Sequence, residues 1–354
     1  MHLLPDFFDR SKQGNQTPAL SALPHHAQQG RYQIIHHALN IPNLPAPLHY
    51  LNFFSLYGQP KIQLCHVNES NALDIAHVVS SVSGKMNSHQ HDYSVSKQCH
   101  FAPQQFEFGG RERLVGFFPN FQLSRQDDEL SYELEIETSN AVSYLSKLPF
   151  GLAEHWSILC QCRGEILFQQ EKITIHQIGS FEYSRSINFP YLPIAFLSYQ
   201  IINLSAQRQI LVMQTRDQFN HILQSKLYLR DLNQQSSLLF DQEVHFKIHR
   251  VYPKVKNPDG QEMYLPREFE WLIYKEGELL INIQAQSRGD FKFGLMAGYM
   301  GSFHYQVRIA DQIEIGEGGY CEYIDCRSLL WQEQDKHHKF LLSWFYPELA
   351  RLRK

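Results

Sequence analysis

Hydrophobic and polar residues alternate along much of this chain. In the segment LSYELEIET, residues 130–138, every second residue from Leu130 to Ile136 is apolar, and the residue after each of these is polar: Ser131, Glu133, Glu135 and Glu137. A period of two places alternate side chains on opposite faces of an extended strand. The segment is therefore predicted to be a half-buried antiparallel strand with an acidic outer face.

The same alternation recurs further along the chain, at residues 172–175, 244–248, 269–273, 279–285 and 303–309. Turn-forming sequences such as Asn257–Gly260 and Arg288–Asp290 separate these segments. Long amphipathic helical patterns are scarce, and the best one covers about Gln332–Phe345. Many short strands with almost no helices predict an all-β barrel or sandwich rather than a βαβ fold.

Two segments share a longer pattern. Lys172–Tyr183 reads KITIHQIGSFEY and Gln312–Tyr323 reads QIEIGEGGYCEY, with the common frame I-x-I-x-x-x-G-x-x-E-Y. The match is either a chance similarity of two strands or the trace of a duplicated unit, and the placement of each copy near the end of a half favours duplication. We therefore predict two tandem antiparallel β-barrels, each with about eight strands and room for one small ligand.

The repeat also sets the expected domain organisation. Residues 1–30 lack periodicity and are predicted to form a short N-terminal arm. The first barrel is predicted at 31–185, the second at 186–330 and a C-terminal helix at 331–354. Phe189–Tyr199, with two prolines, is expected to link the barrels, its aromatic side chains lying either at the barrel interface or in a lid over a pocket.

Composition and charge exclude several classes of protein. The 354 residues carry 32 Lys and Arg against 36 Asp and Glu, a formal net charge of −4, so the chain has no global basic field for nucleic acid or an anionic membrane. Aromatic residues make up 13%, which suits sheets with filled or ligand-sized interiors. The sequence leaves the oligomeric state open.

Targeting signals and cysteine usage indicate a compartment. Residues 1–16 show no secretory-signal pattern, and the most apolar stretch, Phe189–Leu204, is too short and too interrupted by prolines to span a bilayer. The six cysteines are sparse for the length, so a disulfide framework is not expected. We predict a cytoplasmic protein with reduced cysteines and no integral membrane segment.

The repeated glutamates are the first candidates for chemistry. In a strand ending G-x-x-E-Y, Phe181 and Tyr183 share one face and Glu182 takes the other, so Glu182 and its counterpart Glu322 lie either in solvent or in a cavity. A carboxyl group in an apolar cavity has its pKa raised and can donate a proton to an alkene or enol. The alternative is an exposed or salt-bridged glutamate, with Arg185 as the nearest cation in sequence.

The segment Glu154–Ser157 is the second candidate. His155 follows a Pro-Phe-Gly turn and lies beside Trp156, so it could orient a ligand carbonyl or act as a base at a barrel mouth, or could simply make a structural hydrogen bond. No G-x-S-x-G motif occurs, so a hydrolase triad is not supported. We predict Glu182 and His155 as the catalytic candidates, and eight further residues as ligand contacts: Trp156, Tyr183, Arg185, Tyr199, Tyr299, His304, Glu322 and Tyr323.

Metal and phosphate sites are not expected. Of the 19 histidines, His89 and His91 have a spacing that would share a strand face, but they lie in a polar loop without an acid–His partner set. The segment Gly289–Gly301 is rich in Gly and aromatics without a phosphate-loop pattern, and fits sharp bends or a pocket wall. We expect no cofactor.

Three features of the sequence are similar to those of a known family: LPFGLAEHW at 148–156, GYMGSFHY at 298–305 and the repeated G-x-x-E-Y. Over about 31–327 the chain resembles the lipocalin-like family that contains carotenoid 1,2-hydratase (hydroxyneurosporene synthase) and lipocalin-like Diels–Alderases, and an uncharacterised bacterial group with that fold. The resemblance implies two tandem lipocalin-like barrels. The characterised members carry a tryptophan-flanked acidic motif that corresponds here to Phe181–Arg185, where the acid is kept and the tryptophans are absent.

Two functions fit these observations, and a third option is a purely structural tandem barrel. The first function is the binding of an apolar small molecule, such as a lipid, isoprenoid or polyketide-like compound, in a barrel or inter-barrel pocket without metal. The second is a cofactor-free hydratase, isomerase or cyclase acting on such a molecule, with Glu182 as proton donor near His155 or a tyrosine. The sequence does not identify the ligand or the barrel that holds it.

Overall fold

Antiparallel strands make up nearly all of the regular structure. The structure is a computed structural model and describes residues 19–58, 64, 72–84, 88–189, 192–205, 207–258 and 260–327. Helical structure in this part of the chain is limited to one turn of α-helix at Val95–Gln98 and three short 3-10 turns at Leu20–Ala22, Ala72–Asp74 and Pro149–Gly151. The predicted C-terminal helix at 331–354 lies outside the described residues.

The first sheet has eleven strands. They are β1 (Ile34–Pro42), β2 (Tyr50–Tyr57), β3 (Ile75–Val82), β4 (His89–Ser94), β5 (Cys99–Ala102), β6 (Gln105–Phe108), β7 (Glu112–Phe117), β8 (Asn120–Arg125), β9 (Leu130–Lys147), β10 (Ala153–Phe168) and β11 (Glu171–Ser186). Their spatial order is β4-β3-β2-β1-β11-β10-β9-β8-β7-β6-β5, which closes the sheet almost completely into a barrel.

The second sheet has ten strands and forms a half-barrel. They are β12 (Phe196–Asn203), β13 (Arg208–Arg216), β14 (Ile222–Asp231), β15 (Ser236–Phe240), β16 (Val244–Val251), β19 (Pro266–Lys275), β20 (Glu278–Ser287), β21 (Lys292–Leu295), β22 (Gly298–Ile309) and β23 (Gln312–Asp325). The pair β17 (Val255–Lys256) and β18 (Glu262–Met263) forms a separate small sheet. The order in the main sheet is β15-β14-β13-β12-β23-β22-β20-β19-β16, with β21 beside β22.

The prediction of an all-β fold with two tandem barrel units is confirmed. The repeated segments occupy equivalent places, because each lies in the last strand of its sheet and that strand pairs with the first one. In the first sheet β11 pairs with β1, with Glu182 opposite Ala38, and in the second β23 pairs with β12, with Glu322 opposite Tyr199. The predicted strands also lie within longer observed ones, so that 130–138 is the first half of the 18-residue β9.

The three largest hydrophobic clusters of the described residues hold the fold together. One fills the first barrel and includes Trp156, and one fills the concave side of the second sheet and includes Trp271. The third draws residues from both sheets, among them Phe54, Leu145 and Met213, and lies between them. Burial of apolar area is the main stabilising contribution to such contacts, so the two units are joined by a core of their own.

Strand β14 supplies polar contacts across the same interface. Alternate residues Lys226, Tyr228 and Arg230 point toward the first barrel. The Lys226 Nζ donates to the carbonyl oxygen of Leu145 at 3.0 Å, and the Tyr228 hydroxyl donates to the carbonyl oxygen of Tyr144. Since buried donors need a hydrogen-bond partner, these contacts fix the position of the second unit relative to the first barrel.

Part of the predicted N-terminal arm closes the first barrel. The ring of His25 lies 5.1 Å from each of the rings of His37, Phe106 and Phe121, measured between centroids. Leu23 belongs to the same core cluster. Within the part of the chain that the structure describes, no helix is long and apolar enough to cross a membrane.

Candidate functional site

A cavity of about 270 Å³ lies between the two sheets. Its wall is mostly apolar and comes from both units and from the segment that joins them. The apolar lining residues are Ile34, Phe54, Leu56, Leu64, Leu145, Leu148, Ala153, Phe189, Leu192, Ile194, Leu197, Met213, Leu223, Leu295 and Met296. The described part of the predicted linker therefore lines a cavity at the barrel interface, and so does the end of β21 from the Gly-rich segment.

The strand period explains which polar side chains reach this cavity. In β11, Phe181 and Tyr183 point into the first barrel, so Glu182 between them points out of it toward the second sheet. The neighbouring strands obey the same rule: His36 on β1 and His155 on β10 face the cavity. Because the second sheet covers this outer face, Glu182 and His36 are buried, while His155 stays partly exposed.

The Glu182 carboxylate is held by several hydrogen bonds. Its Oε1 accepts from the Tyr199 hydroxyl, from Ser180 Oγ at 3.2 Å and from Asn40 Nδ2 at 3.4 Å. Its Oε2 lies 3.3 Å from His155 Nε2. Tyr199 belongs to the second sheet and the other three to the first, so the carboxylate links the two units.

The prediction that Glu182 is a proton donor with a raised pKa is wrong. Burial alone would raise it, but the hydrogen bond and charge of His155 and the hydrogen bond from Tyr199 together hold the pKa below its ordinary value. Glu182 is therefore an ionised carboxylate at neutral pH, a proton acceptor rather than a donor. The prediction failed because the sequence does not show how many donors converge on this side chain.

The second glutamate of the repeat behaves in the opposite way. Glu322 lines the same cavity and accepts one hydrogen bond, from the Tyr320 hydroxyl at 2.9 Å. Burial, and then the negative charge of Glu182, raise the pKa of Glu322 to about 8. The duplicated carboxyl groups thus share one cavity, with Glu322 protonated and Glu182 ionised at neutral pH.

Two histidines flank Glu182. His36 is buried, and its Nδ1 lies 3.1 Å from the carbonyl oxygen of Ser55, which can only accept. Burial, and then the neighbouring His155, lower the pKa of His36 to about 4, so its imidazole is neutral. One ring nitrogen each of His36 and His155 and one carboxylate oxygen of Glu182 lie within 4.8 Å of one another. These three are therefore the described residues best placed to hold a metal ion.

A buried arginine supports the carboxylate from the second sheet. Arg230 donates to Ser157 Oγ at 2.8 Å, to Ser180 Oγ at 3.1 Å and to the side-chain oxygen of Gln209. Ser180 in turn donates to Glu182. Burial lowers the pKa of Arg230, while Tyr199 and Glu182 act to raise it.

The predicted ligand contacts divide into two groups. Arg185, Tyr199 and Glu322 line the cavity, and Arg185 pairs with Glu154 at 3.1 Å rather than with Glu182. The remaining five lie elsewhere: Trp156 and Tyr183 are in the core of the first barrel, Tyr299 and Tyr323 are in the core of the second unit, and His304 is half-buried outside the cavity. Of the repeat's aromatic residues, Phe181, Tyr183 and Tyr323 therefore pack within the two units, whereas Tyr320 lies between the sheets and donates to Glu322.

Sequence reasoning missed His36, Asn40, Ser180 and Arg230. Three of them could have been found from strand alternation, since His36 and Asn40 lie on one face of a mostly apolar strand and Ser180 lies two residues from Glu182. Arg230 offers no such signal, because only the packing of the two sheets brings it near Ser180.

Comparison with solved structures finds the same fold in several proteins. A protein described as AttH from Nitrosomonas europaea is 14% identical, with a TM-score of 0.60, over 85% of this chain and 95% of that one. Kievitone hydratase from Nectria haematococca is 11% identical, with a TM-score of 0.55, over 83% and 89%. The structure of CghA with Sch210972 is 9% identical, with a TM-score of 0.50, over 89% and 97%. The expected similarity to lipocalin-like enzymes is confirmed at the level of the fold.

Sequence comparison gives a family without a described activity. No protein with a curated description matches the chain significantly. The model of one family matches residues 54–338, which is most of the chain and spans the second sheet and all of the first sheet except β1 and the start of β2. The chain thus belongs to the family of unknown function DUF6670.

Proposed function

We propose that this protein binds an apolar small molecule with one polar group in the cavity between its two units. The observation that carries the proposal is the distribution of side chains: an apolar wall with Glu182, Glu322, Tyr199 and two histidines grouped together. Such a pocket, apolar with a few convergent polar groups, is the usual form of a small-molecule site. Its volume, about 270 Å³, lies near the lower end for such pockets.

The ligand class follows from the same features. An apolar body of the lipid, isoprenoid or polyketide type would displace water from the wall, and a hydroxyl or carbonyl group would meet the carboxyl groups. The fold likeness to kievitone hydratase and to CghA, which was solved with Sch210972, supports a role in handling small molecules.

A blocked cavity tests the binding proposal. Leu197 lines the cavity, so Leu197→Trp fills part of it, and Leu238→Trp on the exposed face of β15 is the matched control. Protein purified from its native host is extracted with organic solvent, and the extract is analysed by mass spectrometry. We expect a stoichiometric apolar compound with the wild type and the control, and its loss in Leu197→Trp. An equal amount of the compound in Leu197→Trp would place binding elsewhere.

A second candidate function is acid–base catalysis on the bound molecule. The observation that favours it is the pair of carboxyl groups in unlike environments within one apolar cavity. The pKa of about 8 keeps Glu322 protonated, so that it can donate a proton to an alkene or carbonyl, while Glu182, whose pKa is lowered, accepts one. Isomerisation and proton-initiated cyclisation need only such transfers, and hydration needs in addition a water molecule that adds to the protonated substrate and gives a proton to Glu182. In this assignment Glu322 replaces Glu182 as the donor.

Paired variants test the catalytic candidate. Glu322→Gln keeps the shape and the hydrogen-bonding capacity of the protonated group but cannot release its proton. We expect it to retain binding of the co-purifying compound and to lose turnover by about 100-fold or more, whereas Glu278→Gln on the surface changes neither. Turnover that persists in Glu322→Gln would exclude this residue as the donor.

A further inference from the structure

Three adjacent strands present ligand side chains on one face of the first barrel. His36 on β1 and His155 on β10 are both paired across the sheet with Ser184 of β11, one on each side, and Glu182 lies two residues from Ser184 on the same face. Backbone pairing alone therefore places two imidazoles and one carboxylate around a common point. Among the described residues this is the one group of three His, Cys, Asp or Glu side chains whose ligand atoms meet within 4.8 Å.

The orientation of His36 leaves one ring nitrogen available. Its Nδ1 donates to the carbonyl oxygen of Ser55 at 3.1 Å, so the proton of the neutral ring lies on Nδ1 and the Nε2 lone pair is free. A backbone carbonyl that fixes the tautomer in this way is the usual support of a metal-binding histidine.

Glu182 is arranged in a corresponding way. Three donors, from Tyr199, Ser180 and Asn40, converge on Oε1, while Oε2 faces His155 Nε2 at 3.3 Å. Two ligand atoms each about 2.0–2.1 Å from a tetrahedral Zn²⁺ are separated by roughly this distance. The donors on Oε1 hold the carboxylate, and Oε2 is the atom left to bind an ion.

Charge and access are also compatible with an ion. His36 and Glu182 are buried, whereas 28% of the His155 side chain is exposed, which gives a path from the cavity. The carboxyl group of Glu322 lines the same space, and the buried Arg230 is linked to Glu182 by hydrogen bonds through Ser180.

We propose that His36, His155 and Glu182 bind one divalent transition-metal ion of the Zn²⁺, Co²⁺ or Fe²⁺ class. Two imidazoles and a carboxylate suit these ions, and three protein ligands leave a coordination position open toward the cavity for water or a polar group of a ligand. The site goes beyond the proposed function and does not rest on it, because an ion can bind whether or not the cavity takes an apolar molecule. When Glu182 binds the ion, the same carboxylate cannot act as the proton acceptor of the catalytic candidate described above.

Metal titration of the untagged full-length chain tests this site. After chelation and gel filtration, the protein is titrated with Zn²⁺ by calorimetry and with Co²⁺ by visible absorption. We expect one ion per chain, with Co²⁺ bands of a four- or five-coordinate site, and a loss of affinity of roughly 100-fold or more in His36→Gln and Glu182→Gln. His245→Gln, on the exposed face of β16, is the matched control and keeps full affinity.

Two results would overturn the proposal. One is the absence of stoichiometric binding by the folded wild type, and the other is unchanged affinity in both folded ligand variants. Folding of each variant is checked by circular dichroism and by its midpoint in urea. Should a variant fail to fold, X-ray absorption of the Zn²⁺-loaded wild type decides, since the site predicts two imidazole ligands and oxygen ligands without sulfur, and a zinc–sulfur shell would contradict it.

Discussion

At the scale of single residues, the two glutamates of the repeat show how environment decides the state of identical groups. Both lie in one cavity on equivalent strands, yet Glu182 is surrounded by four hydrogen-bonding side chains and Glu322 by one. Stabilisation of the charged form outweighs burial at Glu182, whereas burial and the charge of Glu182 dominate at Glu322. A duplicated residue has thereby acquired two different protonation states.

The raised pKa of Glu322 predicts a specific dependence of stability on pH. The unfolded chain releases the proton near pH 4.5, but the folded protein keeps it up to about pH 8. The free energy of unfolding therefore falls as pH rises from 4.5 to about 8, by up to about 1.4 kcal/mol per pH unit from this group. Glu322→Gln lacks this contribution, so its stability relative to the wild type should increase steadily across the same range.

Urea denaturation at several pH values between 4.5 and 9 measures this difference. Glu278→Gln, at an exposed position, provides the control and should follow the wild-type curve. If Glu322→Gln and the wild type run parallel over the whole range, Glu322 is not protonated in the folded protein at neutral pH.

At the scale of elements, alternation along strands explains most of what the sequence could predict. The period of two in segments such as 130–138 distinguishes the buried face of a strand from its outer face, and the repeat marks the two closing strands. The fold class, and the placement of Glu182 on the face opposite to Phe181 and Tyr183, therefore follow from the sequence. The same period places Trp156 and Tyr183 in the core of the first barrel, away from the cavity that Glu182 lines, and ligand contact at these two residues stays a prediction.

The contacts that bury the site were not predictable because they form between elements. Outward-facing positions normally meet solvent, and nothing local in β1 or β11 shows that the second sheet covers them. The contacts of Tyr199 with Glu182 and of Arg230 with Ser180 join strands from different sheets, and their sequence separations are 17 and 50 residues. Such contacts depend on how the two units pack, which alternation within one strand does not encode.

His25, in the segment before β1, should make the stability of the protein sensitive to acid. Burial, and to a smaller degree His26, lower the pKa of His25 to about 3, against 6.5 in the unfolded chain. Since the unfolded chain binds the proton first, the free energy of unfolding should fall as pH decreases from 6.5 to about 3, by up to about 1.4 kcal/mol per pH unit from this residue. His25→Phe should reduce that slope, because the ring packs among Phe106 and Phe121 without needing a charge.

Thermal unfolding of His25→Phe and the wild type between pH 7 and 3.5 tests the contribution. His100→Phe is a suitable control, since His100 is an exposed residue of the first sheet. A slope in His25→Phe equal to that of the wild type would show that the ring of His25 leaves the barrel before it is protonated.

At the scale of the whole molecule, the interface predicts that both units unfold together. An apolar cluster joins the sheets, and the buried donors of β14 have their acceptors on the first barrel. Unfolding one unit would expose that cluster and leave polar groups of the other without partners, so a state with only one unit folded is unfavourable. Trp156 and Trp271 report on the two cores separately, in chains where the other tryptophans are replaced by Phe.

The two reporters should give the same urea midpoint, and Arg230→Met should lower both midpoints by the same amount. Arg230 donates three hydrogen bonds, two of them to Ser157 and Ser180 of the first barrel, so its loss should cost roughly 3 kcal/mol that both units share. Arg308→Met, on the exposed face of the second sheet, should move neither. Separate midpoints, or a shift confined to Trp271 in Arg230→Met, would mean that the units are stable apart and that the cavity between them opens without unfolding either one.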